Sequence, residues 1–371
     1  VLAMASVPSF DPAAFAKGLD GGTWRALLDN PKAPMLNKAV TGQYPPGSTF
    51  KMVVALAALE AGAIGPDHEV YCPGHASLGT SRFHCWKRYG HGRLGLIQAI
   101  GQSCDVYFYD VARRAGIDAI AAMSRRLGLG GRLEIDLTGE RAGLVPTKAW
   151  KLARFGVPWQ QGETLVVGIG QGYMTATPLQ LAVMTARLAN GGRVLLPWLV
   201  RGAAGRSRPG PAPPPSLGIP EWALGMVRRG MDEVVNGRHG TARAHALDVF
   251  GMGMAGKTGT SQVRKISRAE RLTGVRKNED KPWEERDHAL FVAFAPVDRP
   301  RYALAVVVEH GGSGSQSAAP IARDILERTL QLDPSRPRPS GTVRRGPPPD
   351  DGERQAGGGG DSGGGGGGRG A

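Results

Sequence analysis

Ser48-Thr49-Phe50-Lys51 places a hydroxyl and an amine one helical turn apart, directly after Tyr44-Pro45-Pro46-Gly47. An amine that close can take the serine's proton, and a helix N-terminus favours the negative charge that develops at the reacting centre. Alone, the pattern describes equally well an N-capping serine followed by a solvated lysine. Two further groups change its meaning. Ser103-Cys104-Asp105 sets two polar side chains in an otherwise apolar stretch, where Ser103 could relay a proton to a leaving amine and Asp105 could orient a lysine. Lys257-Thr258-Gly259-Thr260 follows a glycine-rich run and reads as a strand edge. Such an edge offers N–H groups to an extended peptide, with Lys257, Thr258 and Thr260 suited to a carboxylate and Gly259 leaving room for substrate. The set is the equipment of acyl transfer, with Ser48 as nucleophile. Lys51 can serve as base only when neutral, a state that the charge of Lys257 and partial desolvation favour. The N–H groups of Ser48 and Thr260 are the expected oxyanion donors.

Cys72, Cys85 and Cys104 are an odd number of thiols, so one stays unpaired in an oxidising compartment. With His91 they follow at spacings of 13, 6 and 13 residues. Cys72, Cys85, His91 and Cys104 can close a tetrahedral zinc site of three thiolates and one imidazole. A Cys72–Cys85 disulfide beside one buried thiol is the competing arrangement, and His75 or His84 could replace His91. We favour structural zinc and expect no organic cofactor. Because Cys104 adjoins Ser103, a metal there would fix the second motif.

The elements that must carry these side chains follow from periodicity and punctuation. An apolar strand spans Val1–Val7, a loop runs through Pro46, and a helix extends from Ser48 to about Ala63 before Gly65-Pro66. Residues 66–175 read as mainly helical and irregular, with few strands and with helices over Leu94–Ala115 and Ile117–Leu127. Thr177 caps a helix from Pro178 to about Ala189, and another follows Ile219. Met252–Val263, Ala289–Ala295 and Tyr302–Glu309 are extended runs, the last two joined hairpin-fashion, and Ile321–Leu332 is a closing helix. The architecture implied is α/β: a sheet from the first and last parts of the chain, covered by helices, with the helical block inserted and a cleft at the junction.

The 371 residues, 41% of them hydrophobic, suffice for one large domain with subdomains or for two domains. A net charge of +14 comes without an RNA-binding aromatic-basic motif or a recognition-helix signature, so we expect no nucleic acid and prefer anionic envelope polymers or lipid. The longest apolar helix-like run, Met52–Ile64, contains Glu60 and is too short to cross a bilayer. Residues 334–371 concentrate Pro, Gly and Arg and are expected to be a disordered tail beyond a domain spanning 1–333.

Ser-x-x-Lys, Ser-x-Asp and Lys-Thr-Gly in this order resemble the signature shared by penicillin-binding proteins and serine β-lactamases. The wider wording is Tyr44–Lys51, Gly90-His91-Gly92-Arg93-Leu94, Gly168-Ile169-Gly170-Gln171-Gly172-Tyr173 and Lys257–Gln262. It is similar to the penicillin-binding protein 2 family of class B, elongation-type transpeptidases, over about Val1–Leu332. That resemblance implies the transpeptidase fold of penicillin-binding proteins and serine β-lactamases, a central antiparallel sheet flanked by helices, with a mainly helical subdomain over 66–175. It implies cross-linking of peptidoglycan stem peptides: Ser48 attacks the penultimate D-Ala carbonyl, D-Ala leaves, and an amine of a second stem resolves the acyl-enzyme. β-Lactams would trap the same serine. Asp105, where many relatives carry asparagine, suits elongation over division. Zinc sites near the active site occur in some members, with His91 and Cys104 at matching places and Cys72 and Cys85 standing where carboxylates can serve. Implied partners are a cell-wall glycosyltransferase and elongation-complex membrane proteins. The implied location is the periplasmic face of the bacterial inner membrane, with an anchoring helix and a pedestal domain ahead of the catalytic domain and absent from this sequence. A division-type transpeptidase, a β-lactam sensor and a β-lactamase are the alternatives on the same fold; Glu163-Thr164-Leu165 lacks the asparagine of the class A deacylating element.

Overall fold

The computed structural model describes residues 1–334 except 201, 204–205, 208–213, 265, 267–269 and 271–273, so the expected tail beyond Pro334 lies outside the described residues. The strand expected over Val1–Val7 does not form. A strand needs a neighbour to take its backbone N–H and C=O groups, and this segment pairs with none among the described residues. The Ser6 hydroxyl instead ties it to the Leu36 carbonyl and the Lys38 N–H, both at 3.1 Å. Two short helices follow, α1 (Pro12–Lys17) and α2 (Gly21–Leu28), started by Asp11 and Asp20, whose carboxylates accept from first-turn N–H groups. After α3 (Lys38–Thr41) the chain makes a 3₁₀ turn over Gly47–Phe50 and enters α4 (Lys51–Glu60). The helix expected from Ser48 thus begins as a tighter turn. α4 is buried from Lys51 to Leu59, as a helix apolar on every side must be, and Lys51 is carried into the interior with it.

Residues 66–95 were expected to hold few strands; they form β1 (Glu69–Cys72), β2 (His75–Leu78), β3 (Ser81–His84) and β4 (Gly92–Gly95). β1 pairs antiparallel with β4, and β2 with β3. Each has only 4 residues between glycine-marked turns, too few for alternation to stand out in the sequence. The continuous helix expected over Leu94–Ala115 is two, α5 (Leu96–Gly101) and α6 (Asp105–Arg126), and α6 is itself interrupted at Gly116 (φ 77°), where the expected helices to Ala115 and from Ile117 part. The break between α5 and α6 falls on Ser103, whose φ of 55° is left-handed and costly for a residue with a side chain. Cys104 Sγ then caps α6 by accepting from the Tyr107 N–H at 3.5 Å.

α7 (Lys148–Phe155) and α8 (Gln161–Val167) precede α9 (Pro178–Ala189). α9 starts as its residues require, with Thr177 and Gln180 exchanging capping bonds of 3.0 and 3.2 Å. Two short pairs, β5 (Gly202–Ala203) with β6 (Arg206–Ser207) and β7 (Asp248–Val249) with β8 (Met252–Gly253), flank α10 (Glu221–Asn236). The main sheet is antiparallel in the order β11-β10-β9, from β9 (Ala255–Ser261), β10 (His288–Ala295) and β11 (Tyr302–Val308). It comes from the last part of the chain alone, which corrects the expected contribution from the first part. β10, central and covered by α9 and by α11 (Ala319–Gln331), is fully buried from Ala289 to Ala295. β9 lies at the edge and touches the Gly47–Phe50 turn. Packing of α6 on α4 brings the Ser103 break beneath the same turn.

Candidate active site

Ser48 is half-buried in the 3₁₀ turn, one turn ahead of Lys51. Lys51 Nζ, fully buried, lies 2.9 Å from Ser103 O, 3.2 Å from Ser103 Oγ and 2.8 Å from Asp105 Oδ1. In an unbroken helix the Ser103 carbonyl would be spent on the Tyr107 N–H. Here that N–H goes to Cys104 Sγ and the carbonyl is left for the lysine. Asp105 Oδ2 accepts from the Trp86 N–H at 2.9 Å, and Trp86 Nε1 donates to the carbonyls of Gln102 and Ser103, each at 3.1 Å.

Lys257 is the second fully buried lysine of the site, and its Nζ reaches Thr258 O at 3.1 Å and Thr258 Oγ1 at 3.5 Å. Burial holds its amine well below the ordinary lysine range; the charge of Lys51 adds to this, and Asp105 opposes it. Lys51, the expected base, is ion-paired to Asp105, and Lys257 is the lysine whose hold on a proton burial weakens. Among the described residues Asp105 pairs with the first and not with the second.

On the edge strand, the Thr260 carbonyl accepts from Gln171 Nε2 at 3.0 Å. One residue of an antiparallel strand turns its N–H and C=O to the same side, so the Thr260 N–H faces the open edge, where an oxyanion donor is wanted. Thr258 Oγ1 pairs with Thr241 Oγ1 at 2.8 Å. Gly259 does not leave room for substrate: a Cβ there would lie 2.9 Å from Thr49 Cγ2 and 3.1 Å from Pro46 O. Its missing side chain lets the Ser48 turn pack onto β9. The fold thus gathers Ser48, Lys51, Ser103, Asp105, Lys257, Thr258 and Thr260, and gives Gly259 to packing.

Next to Ser103, Cys72, Cys85, His91 and Cys104 bring their ligand atoms within 4.8 Å of one another. His91 Nδ1 lies 3.6 Å from Cys72 Sγ and 3.5 Å from Cys85 Sγ. Tetrahedral zinc, with bonds of about 2.3 Å to sulfur and about 2.0–2.1 Å to nitrogen, separates its ligand atoms by about 3.5–3.8 Å. The residues present fit the ion. All three thiols are free and buried, and His91 Nε2 is buried with no hydrogen-bond partner, so the sulfurs orient the ring. His75 and His84 face each other across β2 and β3, outside the cluster.

Residues 1–327 match the family model described as the penicillin-binding protein transpeptidase domain. The chain belongs to that family. This transpeptidase domain is 39% identical over 338 residues to the peptidoglycan D,D-transpeptidase MrdA of Haemophilus influenzae, covering 89% of this chain and 51% of that protein. Its fold is similar to the crystal structure of Pseudomonas aeruginosa PBP2 in complex with WCK 5153, at 41% identity and a TM-score of 0.78 over 90% of this chain and 69% of that one. It is also similar to the complex between PBP2 and MreC from Helicobacter pylori, at 33% identity and a TM-score of 0.77 over 88% of this chain and 57% of that one. The chain spans about half the length of the curated relatives it matches.

Three residues join the transpeptidase site without a motif of their own. Gln171 had a visible signal, since Gly170 and Gly172 flank it and mark a tight loop. Trp86 follows Cys85, and its bond to Asp105 appears only once the knuckle of β1–β4 folds beside α6. Thr241 meets Thr258 across 17 positions of sequence.

Lys257 gives the domain a pH dependence. Its folded-state amine binds a proton more weakly than an unfolded lysine, whose value is about 10.4. Between the depressed value and that one the unfolded chain holds the extra proton, so stability rises with pH, and the penalty is full below the depressed value. Lys257→Met is expected to raise stability near neutral pH by about 1 kcal/mol or more. It should also flatten the rise. Urea midpoints of both proteins, compared from about pH 6 to about pH 10, check this.

Proposed function

We propose that this domain is an elongation-type peptidoglycan D,D-transpeptidase that joins stem peptides through an acyl-enzyme on Ser48. The observation that carries the reading is the single site in which Lys51 contacts Ser103 and Asp105 beside a buried Lys257 and an open strand edge. A pentapeptide stem adds to β9 as an extended strand, its carboxylate toward Lys257, Thr258 and Thr260. Burial leaves Lys257 with a weakened hold on a proton, so the lysine pair holds an amine able to take one from Ser48. Ser48 Oγ attacks the penultimate D-Ala carbonyl carbon and its proton passes into the lysine pair. The oxyanion is held by the N–H groups of Ser48 and Thr260. Ser103, 3.2 Å from Lys51 Nζ, hands a proton to the departing D-Ala amine. An amine of a second stem then attacks the Ser48 ester and restores the hydroxyl. β-Lactams acylate the same oxygen.

Glu163 favours this reading over a β-lactamase. Its carboxylate is occupied by Lys151 at 2.6 Å, the Gln160 N–H at 2.7 Å and Tyr173 OH at 3.3 Å, away from any role as a deacylating base. The likeness to PBP2 and MrdA supports elongation over division, and the Helicobacter pylori complex supports an MreC-like partner; a cell-wall glycosyltransferase is a further proposed partner. The location proposed with this activity is the periplasmic face of the bacterial inner membrane. Among the described residues no helix is long and apolar enough to cross a membrane.

The same reading gives structural zinc to Cys72, Cys85, His91 and Cys104. With four protein ligands these residues would fill a tetrahedral shell, and the ion they would hold would supply folding energy rather than a reactive water. Cys104 caps α6 beside Ser103, so the ligands hold the second motif in register with Lys51.

Release of D-Ala from a pentapeptide donor, with labelling by a fluorescent penicillin in parallel, tests the nucleophile. Ser48→Ala is expected to lower both by about a thousandfold or more, and equal labelling of the two proteins would contradict the assignment. Metal analysis of the purified chain should find one zinc per molecule and far less in Cys85→Ser, with a chelator lowering the melting temperature. A chain purified without zinc ends that part of the proposal.

A further inference from the structure

Gln171 occupies an atom that an incoming strand needs. The loop carrying it is wedged in place: Gly47 N–H donates to Gly170 O at 2.9 Å, and Gln171 N–H donates to Val166 O at 3.2 Å. A Cβ on Gly170 would lie 2.1 Å from Gly47 O, so the loop backbone sits directly against the Ser48 turn. What can move is the Gln171 side chain, whose Nε2 donates to Thr260 O at 3.0 Å at an exposed position. In an antiparallel ladder two opposed residues exchange both of their hydrogen bonds. The substrate residue whose carbonyl accepts from the Thr260 N–H must therefore give its own N–H to Thr260 O. That acceptor is the one Gln171 holds.

We propose that Gln171 is a specificity residue, a side-chain gate on β9 that an acyl donor displaces with the amide N–H of the residue under attack. The inference rests on the transpeptidase reading above. A donor with that N–H replaces the bond it breaks; one without it leaves the Thr260 carbonyl to Gln171 and never engages the gate. The exchange is between two hydrogen bonds of similar worth. Benzylpenicillin carries an acylamino N–H on the carbon next to its reactive carbonyl, as a peptide does. Imipenem carries a hydroxyethyl group there and no N–H.

The test is the second-order acylation rate constant of the whole chain with each drug, for the unmutated protein, Gln171→Ala and Gln171→Glu. A glutamate carboxylate keeps the size of the side chain and cannot donate to a carbonyl, so it covers the case in which the alanine variant folds poorly. The ratio of the benzylpenicillin constant to the imipenem constant is expected to rise about two- to tenfold in both variants. An unchanged ratio, or one that falls, overturns the gate. Failure of the unmutated chain to be acylated by either drug would instead strike the transpeptidase reading, so the two failures are told apart.

Discussion

Asp105 pairs with one of the two fully buried lysines of the site and leaves the other without a carboxylate among the described residues, and the site is arranged around that shortage. Removing a charged amine from water costs several kcal/mol unless a partner and hydrogen bonds replace the solvent. Lys51 has both, from Asp105 and from two oxygens of Ser103. Among the described residues Lys257 has the oxygens of Thr258 in place of a carboxylate, and burial beside another lysine weakens its hold on a proton. An amine with a weakened hold on its proton, set beside an ion-paired one in the same buried pocket, can take or give a proton at small cost, which acylation and deacylation both need. A solvated lysine three residues after a serine, with nothing to lower its affinity for the proton, has no such facility.

The architecture exists to hold that carboxylate and those amines in place. Trp86, immediately after Cys85, fixes the second oxygen of Asp105 through its backbone N–H and clamps the Ser103 break through its indole. Ser103 keeps its left-handed backbone because α5, α6 and the knuckle of β1–β4 surround it. Strain held by packing at a reacting centre is where strain is commonly stored. On the other wall, Gly259 lets the Ser48 turn close on β9, so nucleophile and oxyanion donor share one edge. The domain therefore joins a rigid helical floor to an open strand edge, and the substrate completes the sheet.

Much of this was legible in the residues themselves. Thr177-Pro178 announces α9 with its cap, and the runs around Pro296–Pro300 announce the β10–β11 hairpin, because local hydrogen bonding and turn chemistry decide both. Val1–Val7 misled because an apolar run becomes a strand only if a neighbour accepts its backbone groups. The Ser103 break had a local signal, since Gly101, Ser103, Cys104 and Asp105 are weak helix formers, but the left-handed turn that frees the Ser103 carbonyl for Lys51 is a tertiary feature. In the site, three motifs carry the reacting groups. Which lysine is ion-paired depends on the position of Asp105, and the backbone contact of Gln171 with Thr260 depends on how the loop at Gly170 meets Gly47.

The division of charge between the two amines is the point on which the mechanism turns. Nitrogen-15 NMR of the lysine Nζ groups, assigned with a Lys257→Arg variant and followed across pH in the resting domain, measures it directly. The account predicts that the Lys257 signal titrates well below the ordinary lysine range. Observation of Lys257 still protonated at the pH where free lysine begins to lose its proton would contradict it.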